Sequence, residues 1–399
     1  MALLGKILAI AKGGAGIVRD GERTVFVPGV VAGETVEYSI SGRSRSVLQG
    51  KLLRVLQASP QRVEPPCPHY GDCGGCNLQH MSYGEQLRSK AGILADNLRR
   101  IGGYEPVSPT ATLASPAERY RCKAEFQVRD GAGGFFARDS QRVIAINGCR
   151  LLPQAVEQHF LSQRRLTAQC AKGRILTVSN GCDLASCLET PGHGEQWLSS
   201  ERRVRFQVGP HAILVAPGNF VQANRFQLPS MLGLLQRVLD RERPTAAADL
   251  FCGGGFLTLP LAACCQRVLA LENDPGNLAA LRGNLDLNKA DNVRVVQADA
   301  LHAGLPGTEF FVVDPPRGGL SPRLIAALAA SGAKTIVYFS CDSATFARDL
   351  RLFLDRGFTP DELQLIDNFP HSDHFEIFSV LKRAARRNVP GEDIVMRKA

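Results

Sequence analysis

Two side chains near the carboxyl end of this 399-residue chain have the types and settings that covalent catalysis needs. Cys341 follows the apolar run Thr335-Ile-Val-Tyr-Phe-Ser340 and precedes a helix expected to begin near Ala344. A thiol at a strand end, beside a helix N-terminus that favours the thiolate, is a candidate nucleophile; a small buried hydrophobe is the other role open to a lone cysteine. Cys252, Cys264 and Cys265 read as such hydrophobes. Glu376 opens an otherwise apolar strand in His374-Phe-Glu376-Ile-Phe-Ser-Val-Leu. It is either an edge carboxylate or a base whose pKa desolvation raises toward a useful value.

A second group suits a nucleoside-bearing ligand. Asp249-Leu-Phe-Cys-Gly253-Gly-Gly255 ends one strand and leads into a helix, and glycines there let a ligand approach the backbone. Glu272 ends the next strand in Leu-Ala-Leu-Glu, where a carboxylate can bind ribose hydroxyls. Asp299 can reach an adenine amino group, and Asp314, held before Pro315-Pro316-Arg317, can orient a polar substrate. Acids at four successive strand ends are hard to explain as surface. NAD and S-adenosylmethionine sites share this logic, but the spaced G-x-G-x-x-G dinucleotide fingerprint is missing. Cys67, Cys73 and Cys76 place three more thiols within ten residues; with a fourth they suit a 4Fe-4S cluster or a tetrahedral zinc ion.

The elements that must position these residues follow from periodicity. Strand candidates run from Ala246 to Phe251, Arg267 to Leu271, Val293 to Gln297, Phe310 to Val313, Thr335 to Phe339 and Phe375 to Leu381, with helical stretches between the first five. That is a doubly wound α/β domain with ligands at the carboxyl ends of its strands. Gly5 to Leu56 reads as short strands with turns about every ten positions, hence a small closed barrel, with Arg43, Arg45, Lys51 and Arg54 as a candidate basic face. Ser82 and Glu85 stand in capping-box spacing ahead of a helix whose apolar stripe is Leu87, Ala91, Leu94, Leu98 and Ile101. Ala114 to Gly218 is strand-like, and the tail beyond Arg383 reads as a mobile end.

Composition narrows the class. The chain has 47 Lys+Arg against 38 Asp+Glu, 44% hydrophobic residues and length for two or three cores. No apolar run approaches the roughly 18 residues of a bilayer span, so a cytoplasmic protein without a membrane partner is expected. Twelve cysteines without an export signal point to metal or catalytic chemistry over disulfides. Residues 1–150 hold 20 basic and 13 acidic residues (20 − 13 = +7), and residues 151–399 hold 27 and 25 (27 − 25 = +2). The first part therefore suits a polyanion.

In combination these pieces resemble the S-adenosylmethionine-dependent RNA 5-methyluridine methyltransferases, closest to the iron-sulfur branch acting on 23S ribosomal RNA. The resemblance rests on the barrel, Cys67-x5-Cys73-Gly-Gly-Cys76, Phe220-Val-Gln222-Ala-Asn, Asp249-Leu-Phe-Cys-Gly, Asp314-Pro-Pro-Arg, Ser340-Cys341-Asp342 and His374-Phe-Glu376. It implies a multi-domain fold: an N-terminal OB-like TRAM barrel (1–60), a central β-rich iron-sulfur domain (61–218) and a C-terminal Rossmann-like class I methyltransferase domain (219–399), with helix 82–101 packing on the last. It further implies that Cys341 attacks carbon 6 of uracil and that Glu376 removes the carbon 5 proton. Gln222, Phe251, Gly253, Glu272, Asp299 and Asp314 would bind S-adenosylmethionine, and Cys67, Cys73, Cys76 and Cys149 a structural 4Fe-4S cluster. The expected partner is a structured RNA loop, most simply in 23S ribosomal RNA, met by a monomer. Two departures stand out: Phe256 where these enzymes often have asparagine, and Asp342-Ser343 where they have Asn-Pro. Transfer RNA as substrate, or an inactive RNA-binding assembly protein, are the alternatives; Arg317 disfavours cytosine-5 methylation, and the glycine spacing disfavours an iron-sulfur oxidoreductase.

Overall fold

Alternating inward and outward residues wind the amino-terminal segment into five strands: β1 (Leu3–Lys6), β2 (Gly16–Asp20), β3 (Arg23–Val27), β4 (Thr35–Ser44) and β5 (Val47–Gln57), in the order β1-β4-β5-β3-β2. The sheet closes where Leu8 N donates to Ile17 O and Ile17 N to Ala9 O, at 2.9 and 2.8 Å. Closure removes free edges and leaves an OB-like barrel. Val18, Val25, Val27, Val36 and Tyr38 fill it, with Leu78 and Met81 inserted from the segment that follows. The computed structural model describes residues 1–44, 47–105, 111–300, 305 and 307–384; Arg45 and the tail 385–399 lie outside them. Within the expected basic face Arg54 pairs with Glu37 at 2.6 Å, which neutralises part of that charge.

Helix α1 (Tyr83–Arg100) starts at Ser82, whose hydroxyl accepts from Glu85 N. Only half of the capping box forms, because the Glu85 carboxylate turns to Arg88 Nε at 2.8 Å. The buried face also differs from the apolar stripe: Gln86, Ser89, Lys90, Ile93, Leu94 and Leu98 are inside, while Leu87 is half-buried. Polar side chains occupy that face because they have partners across it. Lys90 Nζ meets Asp367 Oδ1 at 2.5 Å and Phe369 O at 3.0 Å, and Gln86 bonds the backbone of Met81 and His371.

After β6 (Ala111–Leu113) comes a six-stranded antiparallel sheet in the order β12-β11-β10-β7-β8-β9, built from β7 (Lys123–Arg129), β8 (Ala132–Phe136), β9 (Val143–Ala145), β10 (Lys172–Ser179), β11 (Leu184–Thr190) and β12 (Gly194–Trp197). Helices α2 (Gln154–Ser162) and α3 (Arg164–Ala168) cover it, and Phe126 stacks on Phe160 at 3.8 Å between ring centres. A separate hairpin, β13 (Val204–Val208) and β14 (His211–Val215), leads to α4 (Leu228–Glu242).

The remaining elements are β15 (Ala246–Leu250), α5 (Thr258–Cys264), β16 (Arg267–Glu272), α6 (Pro275–Leu287), β17 (Val293–Gln297), β18 (Phe310–Val313), α7 (Pro322–Ala330), β19 (Thr335–Ser340), α8 (Ser343–Leu354), β20 (Phe358–Ile366) and β21 (Glu376–Arg383). They make an eight-stranded sheet ordered β17-β16-β15-β18-β19-β21-β20-β6. Strands β15 to β19 are parallel, and β18 and β19 are wholly buried, as expected of strands covered on both faces. One face packs on α4, α5, α6 and the β13-β14 hairpin, the other on α1, α7 and α8. Strand β20 had no place in the sequence reading; it pairs antiparallel with β21 and in parallel with β6. Between β17 and β18, where a helix was expected, residues 301–304 and 306 lie outside the described ones. The chain thus lays α1 and β6 on the α/β body before it builds the six-stranded sheet.

Candidate active site

The order β16-β15-β18-β19 reverses direction between β15 and β18, and a cavity of about 860 Å³ opens at the carboxyl ends there, where such sheets bind ligands. Gln222, Phe251, Gly253, Glu272, Asp299, Asp314, Cys341 and Glu376 all line it. The loop after β15 turns sharply through left-handed backbone at Phe251 (φ 65°), Gly253 (φ 55°) and Gly255 (φ 95°). A Cβ on Gly255 would come within 2.7 Å of Leu281 Cδ1. Glu272 holds this loop: its carboxylate accepts from Gly253 N, Asn273 N and Asp274 N, each at 2.9 Å. Phe256 lies in the same wall, and Phe220, 56% exposed, stands at the cavity's edge.

Carboxyl groups dominate the floor. Asp249 is fully buried, receives the Thr258 hydroxyl at 2.6 Å and leaves Oδ1 without a partner; burial pushes its pKa up to about 7. Sequence reasoning named it in the glycine-loop motif but not as a site residue, since alternation along a strand does not tell which face turns to a ligand. Burial likewise raises Asp314 and Glu376, and the charge of Asp314 further opposes ionisation of Glu376. Gln222 Nε2 donates to Asp314 Oδ2 at 3.0 Å, and its Oε1 accepts from Asn368 Nδ2 at 3.2 Å.

The thiolate expected at Cys341 is not favoured by these surroundings. Burial, then the charges of Glu376 and Asp314, push the thiol up to about 12, with Arg317 acting in the opposite sense. The helix N-terminus that was to help is already occupied: Asp342 Oδ1 accepts from Ala344 N and Thr345 N at 3.0 and 2.9 Å. Asp342 also pairs with Lys12 of the barrel, and Asp373 binds Gly13 N and Asn77 Nδ2 at 2.7 and 2.6 Å. The barrel is thereby moored to both sides of the cavity. Of the three cysteines read as buried hydrophobes, Cys252 and Cys265 are buried, but Cys264 is exposed at the end of α5.

Cys67, Cys73, Cys76 and Cys149 line a second, much smaller cavity with Gln79, Arg121 and His371. Burial pushes Cys76 up to about 12 and raises Cys73 and Cys149, and each of these three also feels the charge of other thiols in the set. Among the described residues no three His, Cys, Asp or Glu donors form a preassembled metal cage. Four soft thiol donors around one small space nevertheless suit an iron-sulfur cluster or zinc in kind and number. All twelve cysteines are free of disulfides, and no helix among the described residues is long and apolar enough to cross a membrane.

A glycine turn and acids at the ends of a parallel sheet share one cavity with a thiol and a buried carboxyl, which places a nucleoside-type ligand site beside a candidate nucleophile. Comparison with known proteins gives the family. The model of a family described as tRNA (Uracil-5-)-methyltransferase matches residues 212–304 and 307–384. A 23S rRNA (uracil(1939)-C(5))-methyltransferase, RlmD, of Pseudomonas entomophila is 33% identical over 94% of this chain and 92% of its own. A protein of Aquifex aeolicus described as an uncharacterized RNA methyltransferase is 30% identical, with 93% of this chain and 96% of its own covered. The tRNA (uracil-54, C5)-methyltransferase of Pyrococcus abyssi, solved with S-adenosyl-L-homocysteine, shares the fold with a TM-score of 0.75, covering 95% of this chain and 100% of that one at 20% identity. The chain belongs to the S-adenosylmethionine-dependent RNA (uracil-C5)-methyltransferases.

Proposed function

We propose that the enzyme methylates one uridine of 23S ribosomal RNA, with Cys341 as nucleophile and Glu376 as base. The observation that carries the chemistry is the placement of Cys341, Glu376 and the Gly253 turn on one cavity. The ribosomal substrate is supported by the name of the relative that is 33% identical over nearly the whole chain.

Uracil carbon 5 is too weak a nucleophile to take a methyl group unaided. The Cys341 thiol gives its proton to water, Sγ bonds carbon 6, and the carbon 5–carbon 6 π electrons move to carbon 5. S-adenosylmethionine supplies the electrophilic methyl group, with Gln222, Phe251, Gly253, Glu272, Asp299 and Asp314 as the residues that hold it. The unpartnered Oδ1 of buried Asp249 fits this reading, because a buried acceptor without a donor awaits one from a ligand. Glu376 then takes the carbon 5 proton, the carbon 6–sulfur bond breaks, and its electrons return to the thiolate. The base must leave its stack to reach the cavity, which favours a loop or bulge in the RNA.

The barrel, as a TRAM-type module, together with the basic residues up to 150, delivers the RNA to a monomeric enzyme. Cys67, Cys73, Cys76 and Cys149 hold a 4Fe-4S cluster that stiffens this surface. Nucleoside analysis of unmodified ribosomal and transfer RNA after incubation with the enzyme tests the reading. Carbon 5 methylation confined to ribosomal RNA, lost in Cys341→Ala with cofactor binding kept, is expected. Methylation of transfer RNA alone overturns the substrate. Iron and acid-labile sulfide in anaerobically purified protein are expected; zinc in their place overturns the cluster.

A further inference from the structure

Three consecutive residues leave the cysteine cavity, and each meets a different part of the molecule. Cys76 lines that cavity, Asn77 faces the loop before Glu376, and Leu78 is fully buried in the barrel core. The loop, residues 369–375, contributes Phe369 and His374 to the active-site cavity and ends on Glu376, the first residue of β21. Asn77 and Asp373 hold each other reciprocally: Asn77 Nδ2 donates to Asp373 Oδ1 at 2.6 Å, and Asp373 N donates to Asn77 Oδ1 at 3.0 Å. The same amide donates to Gly13 O at 3.1 Å, while Gly13 N donates to Asp373 Oδ2 at 2.7 Å. Flipping the Asn77 amide would set its oxygen against a carboxylate and a carbonyl, so these bonds fix its orientation. Gly14, at φ 78°, lets the barrel turn come close, since a Cβ there would lie 2.8 Å from Asn77 Nδ2. On the other side Asn77 N and Leu78 N both donate to His371 O at 3.0 Å, and His371 N donates to Gln86 Oε1 at 2.8 Å. His371 sits at φ 68°, a left-handed conformation that a non-glycine residue keeps only where its surroundings hold it.

We propose that Asn77 is a positioning residue for the base of the reaction: its side-chain amide, locked to Asp373 and Gly13, fixes the 371–375 loop against the barrel and so sets where Glu376 stands in the cavity. This rests on the reading of Glu376 as base. Asn77 does not line the active-site cavity, so it acts through the loop and not by contact with the reacting groups. The sheet holds Glu376 on one side only. It pairs with Ile366 of β20, whereas on the β19 side the ladder begins one residue later, at Ile377 opposite Ser340. The loop before it therefore has to supply the rest of the hold, and a reacting group misplaced by about 1 Å can lose on the order of a hundredfold in rate. Cys341 is carried by β19 and not by this loop, so the loss falls on breakdown of the covalent RNA adduct and spares its formation.

The test uses the full chain, saturating S-adenosylmethionine and a ribosomal RNA transcript that the wild type methylates, following protein-RNA adduct and released methylated RNA in single turnovers. Asn77→Ala should form adduct at the wild-type rate, bind S-adenosylmethionine as the wild type does, and release product about tenfold more slowly. Asn77→Asp sets two carboxylates against each other and should be slower still. Adding Asp373→Asn to it restores a donor facing an acceptor, with the new amide oxygen left for Gly13 N, and should recover most of the loss. Breakdown at the wild-type rate in Asn77→Ala, formation and breakdown slowed to the same extent, or no recovery in the exchanged pair overturns the proposal. So does loss of S-adenosylmethionine affinity, or of iron or zinc from the cysteine site, since the amide then serves the fold or the metal and not the base. Glu376→Gln run alongside keeps the two readings apart. Free turnover there refutes the base assignment, whereas a persistent adduct there with normal breakdown in Asn77→Ala refutes the role of Asn77 alone.

Discussion

Asparagine at Asp249 should stabilise the protein increasingly as the pH rises. The folded-state pKa of about 7, against an ordinary 3.8, means that the native protein holds this proton more tightly than the unfolded chain. Below about pH 4 both states are protonated and the group costs nothing. Between about 4 and 7 the unfolded chain ionises first, so stability falls as pH rises, and above 7 the loss is constant. Roughly three units at about 1.4 kcal/mol each give about 4 kcal/mol, an upper figure because Asp249 borders a cavity that water can enter. Asn carries no such term. It does place N–H donors where Oδ1 has no partner, a cost of about 1–3 kcal/mol that is the same at every pH. The slope of the difference is therefore the decisive quantity. Denaturant unfolding of both proteins at pH 5 and 8 should show the variant gaining about 2–3 kcal/mol over the wild type between those pH values. Far-UV circular dichroism or hydrogen exchange of β15 is the probe to use, because the single tryptophan, Trp197, sits in β12 of the other sheet. A difference that stays flat from pH 5 to 8 would refute the claim that burial makes the folded protein hold this proton more tightly than the unfolded chain. The same variant should bind S-adenosylmethionine more weakly, because Asp249 lines the cavity.

Iodoacetamide should modify Cys341 far more slowly at pH 7.5 than exposed Cys264, because the thiol is held near 12. Glu376→Gln removes one opposing charge and should speed that labelling; peptide mass spectrometry reads both, and equal rates would contradict the site electrostatics. Lys90→Met leaves the Asp367 carboxylate buried without its cation and should cost about 3–5 kcal/mol. Adding Asp367→Asn should restore much of this, and a double variant no more stable than Lys90→Met would show the pair to be uncoupled.

Much of the α/β body was legible because its signals are local. Four- to six-residue apolar runs such as Phe310–Val313, recurring between helical stretches, read as strands buried on both faces, and Ser82 marks a helix start by hydrogen-bonding within one turn. Strand β20 was missed because Thr359, Pro360, Asp361 and Glu362 break its apolar alternation, and only pairing with β21 on one side and β6 on the other makes it a strand. The face of α1 was misjudged for the same kind of reason: Lys90 looks solvent-seeking until Asp367, 277 residues away, supplies its counter-charge.

By itself the sequence determined the inventory of the chemistry: a thiol and a carboxyl near strand ends, a glycine turn followed by acids, and a set of cysteines in two groups. Their roles as a set depend on types and short spacings, which a chain carries before it folds. Tertiary structure alone decided the state of those groups. The Cys341 thiol is pushed up to about 12 and the Asp249 carboxyl up to about 7, because pKa values follow burial and through-space charge, and the charges come from the ends of several strands together. It alone also decided that Asn368 meets Gln222, that Lys12 reaches Asp342, and that His371 is shared between the cysteine cavity and the loop leading to Glu376. Those relations span tens to hundreds of residues, and no periodicity encodes them.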